Sequence, residues 1–516
     1  PYESVHDAFV AGHASNSVSV ALGMARARTM QQQDYDVLAL IGDGALGGGL
    51  SFEGLNNAGA SGEPMIVILN DNGMSINPNV GAVSSHLSKL RTKQGYYQFK
   101  KRYRQLLGSG TVGTKLYEVS HDVKTALKNA ILPNSSMFES MGFTYMGPVD
   151  GLDVEALTRS LQWAREQRCP VLLHVRTVKG MGYLPAQQRP AQYHGVAPFD
   201  PATGKPLSPP QEDFSHVFGS TLTELAGEDP RICAITAAME EGTGLTAFAA
   251  AYPKRIFDVG IAEGHAVSMA GGMAKQGLLP VFAVYSSFLQ RSYDMLLQDV
   301  ALDDLHVVLG VDRAGLVGAD GETHHGCFDV LYLSQIPHMT VLCPASFAEL
   351  RYMLRRALFD LKGAVAVRYP RGNEGAYRDC CGEELLTQLR DGGDGTMLTY
   401  GVLINQALAA AELLHRDGVE VRVLKLNAIA PLPDAVLTAA LGGEKRLLVL
   451  EDCIGTGCVG QRIAAILAQW GCVPEKVILQ NLGDVIPCHG SVPQLYAQRG
   501  LDAQGVAAAW KEACHE

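Results

Sequence analysis

Residues 37–74 read VLALIGDGALGGGLSFEGLNNAGASGEPMIVILNDNGM, and this stretch decides the fold. Two apolar runs, Val37 to Ile41 and Met65 to Leu69, each end in a small or acidic residue and are separated by about one helix of sequence. Apolar runs of strand length on either side of a helix predict a strand, a crossover helix and a second, parallel strand. The sequence therefore predicts an α/β fold.

Asp43 and Asn72 follow these two strands, 29 residues apart. Open parallel sheets bind ligands beyond the carboxyl ends of their strands. Gly42 and Gly44 would let backbone N–H groups and a helix N-terminus approach a diphosphate. A carboxylate, an amide oxygen and the Met74 carbonyl are the hard oxygen ligands that Mg²⁺ requires. The alternative is a generic glycine-rich turn beside a polar Asx turn, but the pairing of GDG with NDN favours a magnesium and diphosphate site.

The bulk composition is that of an ordinary large globular protein. The 516 residues carry 42 basic and 53 acidic side chains, a net charge of −11. This charge argues against nucleic acid or an anionic membrane as a general partner. The 11 cysteines form no CxxC pair or zinc spacing, and no apolar run is long enough for a membrane span. We therefore expect a cytoplasmic protein of about three domains.

The order of strands and helices predicts three α/β domains, each a mostly parallel sheet flanked by helices. The domains are expected over residues 1–185, 214–378 and 379–516, with an extended Pro- and Gln-rich connector over 186–213. Seven basic residues between Lys89 and Arg104 form either a phosphate-steering patch or a solvated helix before a GSG linker.

Candidate chemistry in the second domain begins at Glu263, which follows the apolar run IFDVG. A buried carboxyl group there could share a proton with a ring nitrogen of a cofactor. The alternative is a helix-start carboxylate that interacts with the helix dipole. Tyr285, Phe288 and Arg291 follow the next strand, where Phe288 is either a stacking ring or plain core.

The loop DRAGLVGADGETHHG is polar and rich in glycine, directly after an apolar strand. Such loops are typical places for gripping a ligand. Its Arg313 and the Arg371 of YPRG could form a fork for a phosphate. Asp320 lies in the same loop, and either His324 or His325 is the natural proton shuttle.

The motifs GHASNS, IGDGALGGG, LNDNGMSI, FDVGIAEGHA, YSSFLQRSYD, DRAGLVGADGETHHG and RYPRG together resemble the 1-deoxy-D-xylulose-5-phosphate synthase family, from residue 6 to about residue 505. DRAGLVGADG followed by THHG is the most specific part, since it separates this family from transketolase and from pyruvate dehydrogenase β subunits. The resemblance implies a thiamine diphosphate-binding, transketolase-like fold and a homodimer with the cofactor between the first two domains.

The resemblance also implies an activity. Such a transferase condenses pyruvate with D-glyceraldehyde 3-phosphate and releases CO₂, giving 1-deoxy-D-xylulose 5-phosphate. This is the first step of the non-mevalonate isoprenoid pathway and supplies a precursor of thiamine and pyridoxal. The two cofactors implied are thiamine diphosphate and Mg²⁺.

Site residues follow from the same resemblance, motif by motif. The implied metal ligands are Asp43, Asn72 and the Met74 carbonyl. The implied cofactor-binding residues are Gly12, His13, Ala14, Gly44, Ala45, Asn72, Tyr183 of KGMGY, Glu263 and Phe288. The implied catalytic residues on the substrate side are Glu263, His324, Arg313, Asp320, Tyr285, Arg291 and Arg371. Glu263 would activate the pyrimidine, and His324 would handle protons.

The chain departs from the family pattern in three respects. It is expected to lack the usual N-terminal segment, whose histidine reaches the cofactor in the family. Ala14 and Asn16 replace the usual residues of the GHASNS motif, and Gly264 stands where Gln is usual. Two alternatives to synthase activity are a transketolase-like ketol transferase and a non-catalytic thiamine diphosphate-binding paralogue.

Overall fold

The computed structural model describes residues 4–92, 136–207 and 211–515. The chain forms two compact units. Unit 1 comprises Pro1–Ser208 and Gly260–Ala262, and unit 2 comprises Pro209–Val259 and Glu263–Glu516. Most of the predicted basic run, from Lys93 onward, lies outside the described residues. The predicted boundaries of the three domains stay a prediction.

Unit 1 is built on a parallel sheet. Its described strands are β1 (Leu38–Gly42), β2 (Ile66–Asp71), β3 (Thr144–Asp150) and β4 (Val171–Arg176). They form a sheet in the order β1-β2-β4-β3, with every pair parallel. Its described helices are α1 (Ser17–Met30), α2 (Asp43–Leu46), α3 (Gly49–Ser61), α4 (Gly81–Thr92), α5 (Ser136–Ser140), α6 (Val154–Glu166) and α7 (Leu184–Gln188).

The predicted strand, helix and parallel strand are confirmed in unit 1. Helix α3 connects β1 to β2, and the parallel register pairs Gly42 with Asn70. Leu55 of α3 is fully buried in the same core cluster as Val67 and Leu69 of β2. Because burial of such side chains contributes about 1.5–3 kcal/mol each, this packing fixes the two strand ends at one edge of the sheet.

The connector after residue 185 is folded where the structure describes it, so the prediction of an extended chain is wrong there. Helix α7 opens the segment. The rings of Tyr183, Tyr193 and Phe199 then pack on one another with centroids 5.3–5.9 Å apart. Aromatic pairs at these distances are stabilising beyond their buried area, which explains why a segment rich in proline and glutamine turns back on itself.

Unit 2 contains two further sheets. Its described strands are β5 (Ile232–Thr236), β6 (Ile256–Asp258), β7 (Leu279–Tyr285), β8 (Val308–Asp312), β9 (Thr340–Leu342), β10 (Val365–Arg368), β11 (Leu386–Arg390), β12 (Thr396–Tyr400), β13 (Arg422–Leu426), β14 (Ala428–Ala430), β15 (Arg446–Leu450) and β16 (Lys476–Gln480). The described strands pair in the orders β14-β9-β10-β8-β7-β5-β6 and β11-β13-β12-β15-β16. Strands β11 and β14 run antiparallel to their neighbours, and the others are parallel.

Helices flank both sheets of unit 2. The described ones are α8 (Phe214–Glu228), α9 (Thr246–Ala251), α10 (Glu263–Lys275), α11 (Ser286–Leu289), α12 (Tyr293–Met295), α13 (Asp329–Ser334), α14 (Phe347–Phe359), α15 (Ile404–Arg416), α16 (Asp434–Leu441), α17 (Val459–Gln469), α18 (Val492–Arg499) and α19 (Ala503–His515). Short 3₁₀ turns span Gln290–Ser292, Gly318–Asp320 and Gly401–Leu403, and a π-helix spans Leu296–Ala301. Across the described ranges, no helix has both the length and the apolar character needed to cross a membrane.

A buried ion cluster joins the two sheets of unit 2. Arg368 at the end of β10 donates from Nε to Asp329 at 2.9 Å and from Nη2 to Asp452 at 3.2 Å. Asp329 begins α13, whereas Asp452 follows β15 in the other sheet. All three side chains are less than a tenth exposed. Losing one partner would leave a buried charge uncompensated, so the cluster ties the sheets to one arrangement.

Candidate active site

The three predicted metal ligands lie at one edge of the unit 1 sheet. Asp43 begins α2 directly after β1, and Asn72 directly follows β2. The Gly73 N–H donates to Asp43 Oδ2 at 2.8 Å, and the Met74 N–H donates to Asn72 Oδ1 at 3.0 Å. The structure therefore brings the Asp43 carboxylate against the short turn that contains Asn72 and Met74.

The surroundings of Asp43 fit a bound cation. Asp43 is 6% exposed, and its neighbour Asp71 is fully buried. Burial, with a hydrogen bond and charge repulsion from the Asp71 carboxyl group, raises the pKa of Asp43 to about 7. A divalent cation would relieve this repulsion and favour the ionised form of both groups.

The chemistry of the ligands points to a hard metal ion. Within the described ranges, no three His, Cys, Asp or Glu side chains are grouped so as to hold a metal. The candidate site in unit 1 instead offers one carboxylate, one amide oxygen and a backbone carbonyl. Such oxygen ligands, completed by diphosphate oxygens and water, suit Mg²⁺.

The segment before α1 packs on the turn that follows Asp43. Ser15 Oγ donates to the Ala45 carbonyl at 2.8 Å. A Cβ atom on Gly48 would lie 2.3 Å from Ser15 Oγ, so this close approach requires glycine at residue 48. The structure thus places Ser15, which directly follows residues 12–14, against Ala45; residues 12–14, Gly44 and Ala45 stay predicted neighbours of the cofactor.

The sequence reasoning missed Lys179, which interacts with Asp43, and His194, which contacts Lys179. Lys179 Nζ contacts the Ser75 carbonyl and lies 3.0 Å from His194 Nδ1. Burial lowers the pKa of Lys179, and the Asp43 charge opposes that change. Burial likewise lowers the pKa of His194. The sequence did carry a signal for Lys179, because it is the basic residue of the KGMGY motif and a lysine near a strand end can face an anion. His194 carried no such signal, because it lies within the predicted connector.

Tyr183, which was predicted from the KGMGY motif, belongs to the aromatic cluster of the connector. Its hydroxyl donates to the Pro201 carbonyl at 2.9 Å, and its ring meets Tyr193 edge to face at 5.6 Å. Tyr183 therefore anchors the segment that carries His194. Lys179, which contacts His194, lies four residues before Tyr183 in the chain.

In unit 2, Glu263 occupies the predicted helix start. It is the first residue of α10 and is 4% exposed. Arg291 Nη1 lies 3.5 Å from Glu263 Oε2. A guanidinium group at this distance compensates a buried carboxylate, so the structure brings together two residues that the sequence predicted separately.

Four predicted residues form a continuous row in unit 2, made of three rings and one guanidinium group. The Arg313 guanidinium lies 3.8 Å from the Tyr285 ring centroid. Tyr285 stacks on Phe288 with centroids 5.7 Å apart, and Phe288 meets the edge of His324 at 5.4 Å. Burial raises the pKa of Tyr285 to about 12, so its hydroxyl keeps its proton at neutral pH.

The two predicted phosphate-binding arginines converge on one carboxylate. Arg313 Nη1 and Arg371 Nη1 each lie 2.8 Å from Asp320 Oδ2. Arg313 adopts a left-handed backbone conformation, with φ at 60°, which turns its side chain back over Tyr285. Two guanidinium groups that share one anionic oxygen are also arranged to bind a phosphate oxygen.

The structure distinguishes the two adjacent histidines. His325 is buried; its Nδ1 accepts from the Val317 N–H at 3.2 Å, and its Nε2 lies 3.2 Å from the Cys488 carbonyl. Burial lowers the pKa of His325. His324 is only partly buried and pairs with the Thr323 hydroxyl at 2.8 Å. His325 therefore fixes the loop, and His324 is the better placed of the two for proton transfer.

Sequence comparisons cover most of the chain. Residues 1–177 match the family described as 1-deoxy-D-xylulose-5-phosphate synthase. Residues 211–375 match the pyrimidine-binding domain of transketolase, and residues 386–506 match the transketolase C-terminal domain. A solved structure described as a split gene transketolase, inactive beta4 tetramer, is similar with a TM-score of 0.51 and 25% identity, over 59% of this chain and 98% of that chain.

Three curated relatives are similar over nearly the whole chain, each of them a 1-deoxy-D-xylulose-5-phosphate synthase. The protein of Pelotomaculum thermopropionicum is 44% identical over 515 residues, which are 99% of this chain and 80% of that protein. That of Thermomicrobium roseum is 44% identical over 511 residues, with 98% and 80% covered. That of Heliobacterium modesticaldum is 42% identical over 524 residues, with 99% and 79% covered.

Fold and similarity together define a thiamine diphosphate-dependent transferase of the transketolase type. The α/β fold predicted from the sequence is confirmed. Within this class, the chain belongs to the 1-deoxy-D-xylulose-5-phosphate synthase family. The family predicted from the motifs is therefore also confirmed.

Proposed function

We propose that this chain condenses pyruvate with D-glyceraldehyde 3-phosphate to give 1-deoxy-D-xylulose 5-phosphate and CO₂. Family membership supports the reaction. The observation that carries the choice of acceptor is the convergence of Arg313 and Arg371 on one oxygen of Asp320, at 2.8 Å each. Paired guanidinium groups select phosphate esters over neutral aldehydes. The product would enter isoprenoid synthesis and serve as a precursor of thiamine and pyridoxal.

In this proposal, unit 1 supplies the anchor for the cofactor. Asp43, Asn72 and the Met74 carbonyl would hold Mg²⁺, whose charge would favour binding of the diphosphate. The buried pair of Asp43 and Asp71 supports a cation at this position. Residues 12–14 border the cofactor, because Ser15 fastens their segment to the same turn.

Unit 2 supplies the groups that act on protons and substrate. Thiamine diphosphate, when bound, would supply a nucleophilic carbon and an electron sink for the decarboxylation. Glu263, with its charge compensated by Arg291, holds a proton at the pyrimidine ring nitrogen. The arginine pair orients the acceptor through its phosphate, and His324 gives a proton to the acceptor carbonyl oxygen as the carbon–carbon bond forms.

The aromatic row has a separate task in the proposal. Tyr285 and Phe288 stack on each other beside His324, so they present an apolar wall to the reacting atoms. Excluding water from such a wall strengthens the interactions of the charged groups next to it. Because Arg313 lies on Tyr285, the same wall also orients one of the two arginines that would bind the phosphate.

Assembly and location complete the proposal. A homodimer follows from the family resemblance, and the net charge of −11 with scattered cysteines supports a cytoplasmic protein. Light scattering on the purified chain tests the assembly, since a dimer has twice the mass of one chain. A mass equal to one chain at micromolar concentration would contradict it.

One assay tests the reaction. The full chain is incubated with pyruvate, D-glyceraldehyde 3-phosphate, Mg²⁺ and thiamine diphosphate, and CO₂ and the sugar phosphate are followed by mass. We expect both products in equal amounts and neither when pyruvate is omitted. Transfer of a two-carbon unit from xylulose 5-phosphate without CO₂ would identify a ketol transferase instead. Cofactor binding without any turnover would identify a non-catalytic paralogue.

A further inference from the structure

A row of polar side chains crosses the unit 1 sheet behind the proposed metal ligand. The Tyr145 hydroxyl on β3 lies 2.8 Å from His174 Nδ1 on β4. His174 Nε2 lies 2.9 Å from Asp71 Oδ2 at the end of β2. Asp71 in turn hydrogen-bonds the carboxyl group of Asp43, directly after β1. The row therefore links all the described strands of this sheet, in their spatial order, to a single metal ligand.

The strand register creates this row. On β4, His174 pairs with Leu69 of β2, so Asp71 lies two residues further along the neighbouring strand. On the other side, Tyr145 of β3 pairs with Leu172, two residues before His174. Residues two apart on a strand project from the same face. The backbone therefore holds the three side chains on one face at a fixed diagonal.

Burial makes these hydrogen bonds specific. Asp71 and His174 are both fully buried, and a buried carboxylate is costly without donors. When His174 Nε2–H donates to Asp71, its Nδ1 accepts from the Tyr145 hydroxyl, so one neutral tautomer satisfies both contacts. The Tyr145 ring is parallel to the ring of Phe138, with centroids 5.9 Å apart, which holds the far end of the row.

We propose that His174 and Tyr145 are positioning residues for metal binding, and that they act through Asp71 on Asp43. The inference rests on the proposed Mg²⁺ site and goes beyond it, since it gives a role to two residues that are not candidate ligands of the ion. Partners behind a metal ligand typically change metal affinity by about 10–100-fold when they are replaced. The physical reason is that Asp43 presents an oxygen to the cation only while Asp71 keeps its orientation.

Calorimetric titration of Mg²⁺ into the full chain, with thiamine diphosphate held in excess, tests this role. His174→Asn removes the donor to Asp71, because the shorter amide ends near the position of Nδ1, and should weaken Mg²⁺ binding by roughly 10–100-fold. His174→Gln places an amide N–H near the position of Nε2 and should restore most of the affinity. Tyr145→Phe deletes a single hydroxyl and should cause a smaller but measurable loss.

A matched control lies in unit 2. His306 is partly buried, with its ring nitrogens 2.9 and 3.3 Å from the Gly363 and Leu358 carbonyls. His306→Asn is the same chemical change at a histidine unconnected with the row, and it should leave Mg²⁺ affinity unchanged. The melting temperature of each metal-free variant in chelator reports the fold separately from metal binding.

The outcomes separate this role from the proposed function. A wild-type chain that binds no Mg²⁺ in the presence of thiamine diphosphate refutes the cofactor site and the positioning role with it. Normal wild-type binding with unchanged affinity in a folded His174→Asn variant refutes the positioning role alone. If His174→Asn fails to fold, Tyr145→Phe decides the question: wild-type Mg²⁺ affinity in that variant overturns the role. Equal losses in the Gln and Asn variants also overturn it, because they would show that the donor to Asp71 is irrelevant.

Discussion

Removing the guanidinium group of Arg371 should selectively weaken the use of a phosphorylated acceptor. Arg371 Nη1 lies 2.8 Å from Asp320 Oδ2, and 42% of its side chain is exposed. A hydrogen bond to a charged group contributes about 1.5–3 kcal/mol net, and exposure places Arg371 at the lower end of this range. About 1.5 kcal/mol corresponds to roughly a tenfold change. We therefore expect Arg371→Ala to lower kcat/KM for D-glyceraldehyde 3-phosphate about tenfold, mainly through KM.

Steady-state rates with two aldehydes at saturating pyruvate measure this effect. D-glyceraldehyde lacks the phosphate, so its kcat/KM should be the same in Arg371→Ala and in the wild type. Arg371→Lys keeps the charge but loses the planar guanidinium group, so its kcat/KM for D-glyceraldehyde 3-phosphate should lie between those of Arg371→Ala and the wild type. Arg378→Ala is the matched control, because Arg378 is a nearby arginine whose side chain is 74% exposed and pairs with Glu374. An equal loss with both aldehydes would refute the assignment of Arg371 to the phosphate.

Three further predictions test other parts of the molecule. Glu263→Gln should lower kcat by more than about 100-fold, with little change in thiamine diphosphate affinity; wild-type turnover would contradict the role of Glu263. Burial raises the pKa of Asp312 to about 7, so the folded state loses stability as pH rises from the ordinary carboxyl range to about 7. Asp312→Asn should therefore raise the melting temperature more at pH 8 than at pH 5, and a gain independent of pH would count against this reasoning. Gly315 has φ at 73°, and a Cβ there would lie 1.9 Å from Asp452 Oδ2; in urea unfolding, Gly315→Ala should cost at least about 1–3 kcal/mol. Gly418→Ala, at a φ of 81° with open space around it, should cost less, and equal costs would show that the contact with Asp452 is unimportant.

Much of the fold could be predicted because its parallel strands are continuous apolar runs between helices. The runs RICAIT, HVVLGVD and RLLVLED became strands β5, β8 and β15. Strands β3, β11 and β14 have weak sequence signals for different physical reasons. Strand β3 contains glycine and proline, β11 is a partly exposed edge strand with three polar residues among its five, and β14 has three residues. Each is defined by its neighbour in the sheet rather than by its own composition.

The candidate site was predictable where strand ends carry the chemistry. Asp43 and Asn72 could be paired from sequence because parallel strands end at the same edge of a sheet. Side-chain contacts across the chain could not be predicted in this way. The contact of Asp320 with Arg371, and that of His174 with Asp71, join residues far apart in sequence. A single sequence gives the types of these residues but not which of them meet.

The position of β14 affects how the chain can be divided. This strand pairs with β9 and so completes the seven-stranded sheet from beyond the predicted boundary at residue 378. During synthesis on the ribosome, the edge of β9 stays unpaired until residue 430 has been made. Arg368 lacks its partner Asp452 until later still. A recombinant fragment ending at residue 378 would lack both β14 and Asp452. Its β9 edge would stay exposed, and exposed sheet edges promote aggregation. Expression trials should therefore keep residues 214–515 in one piece.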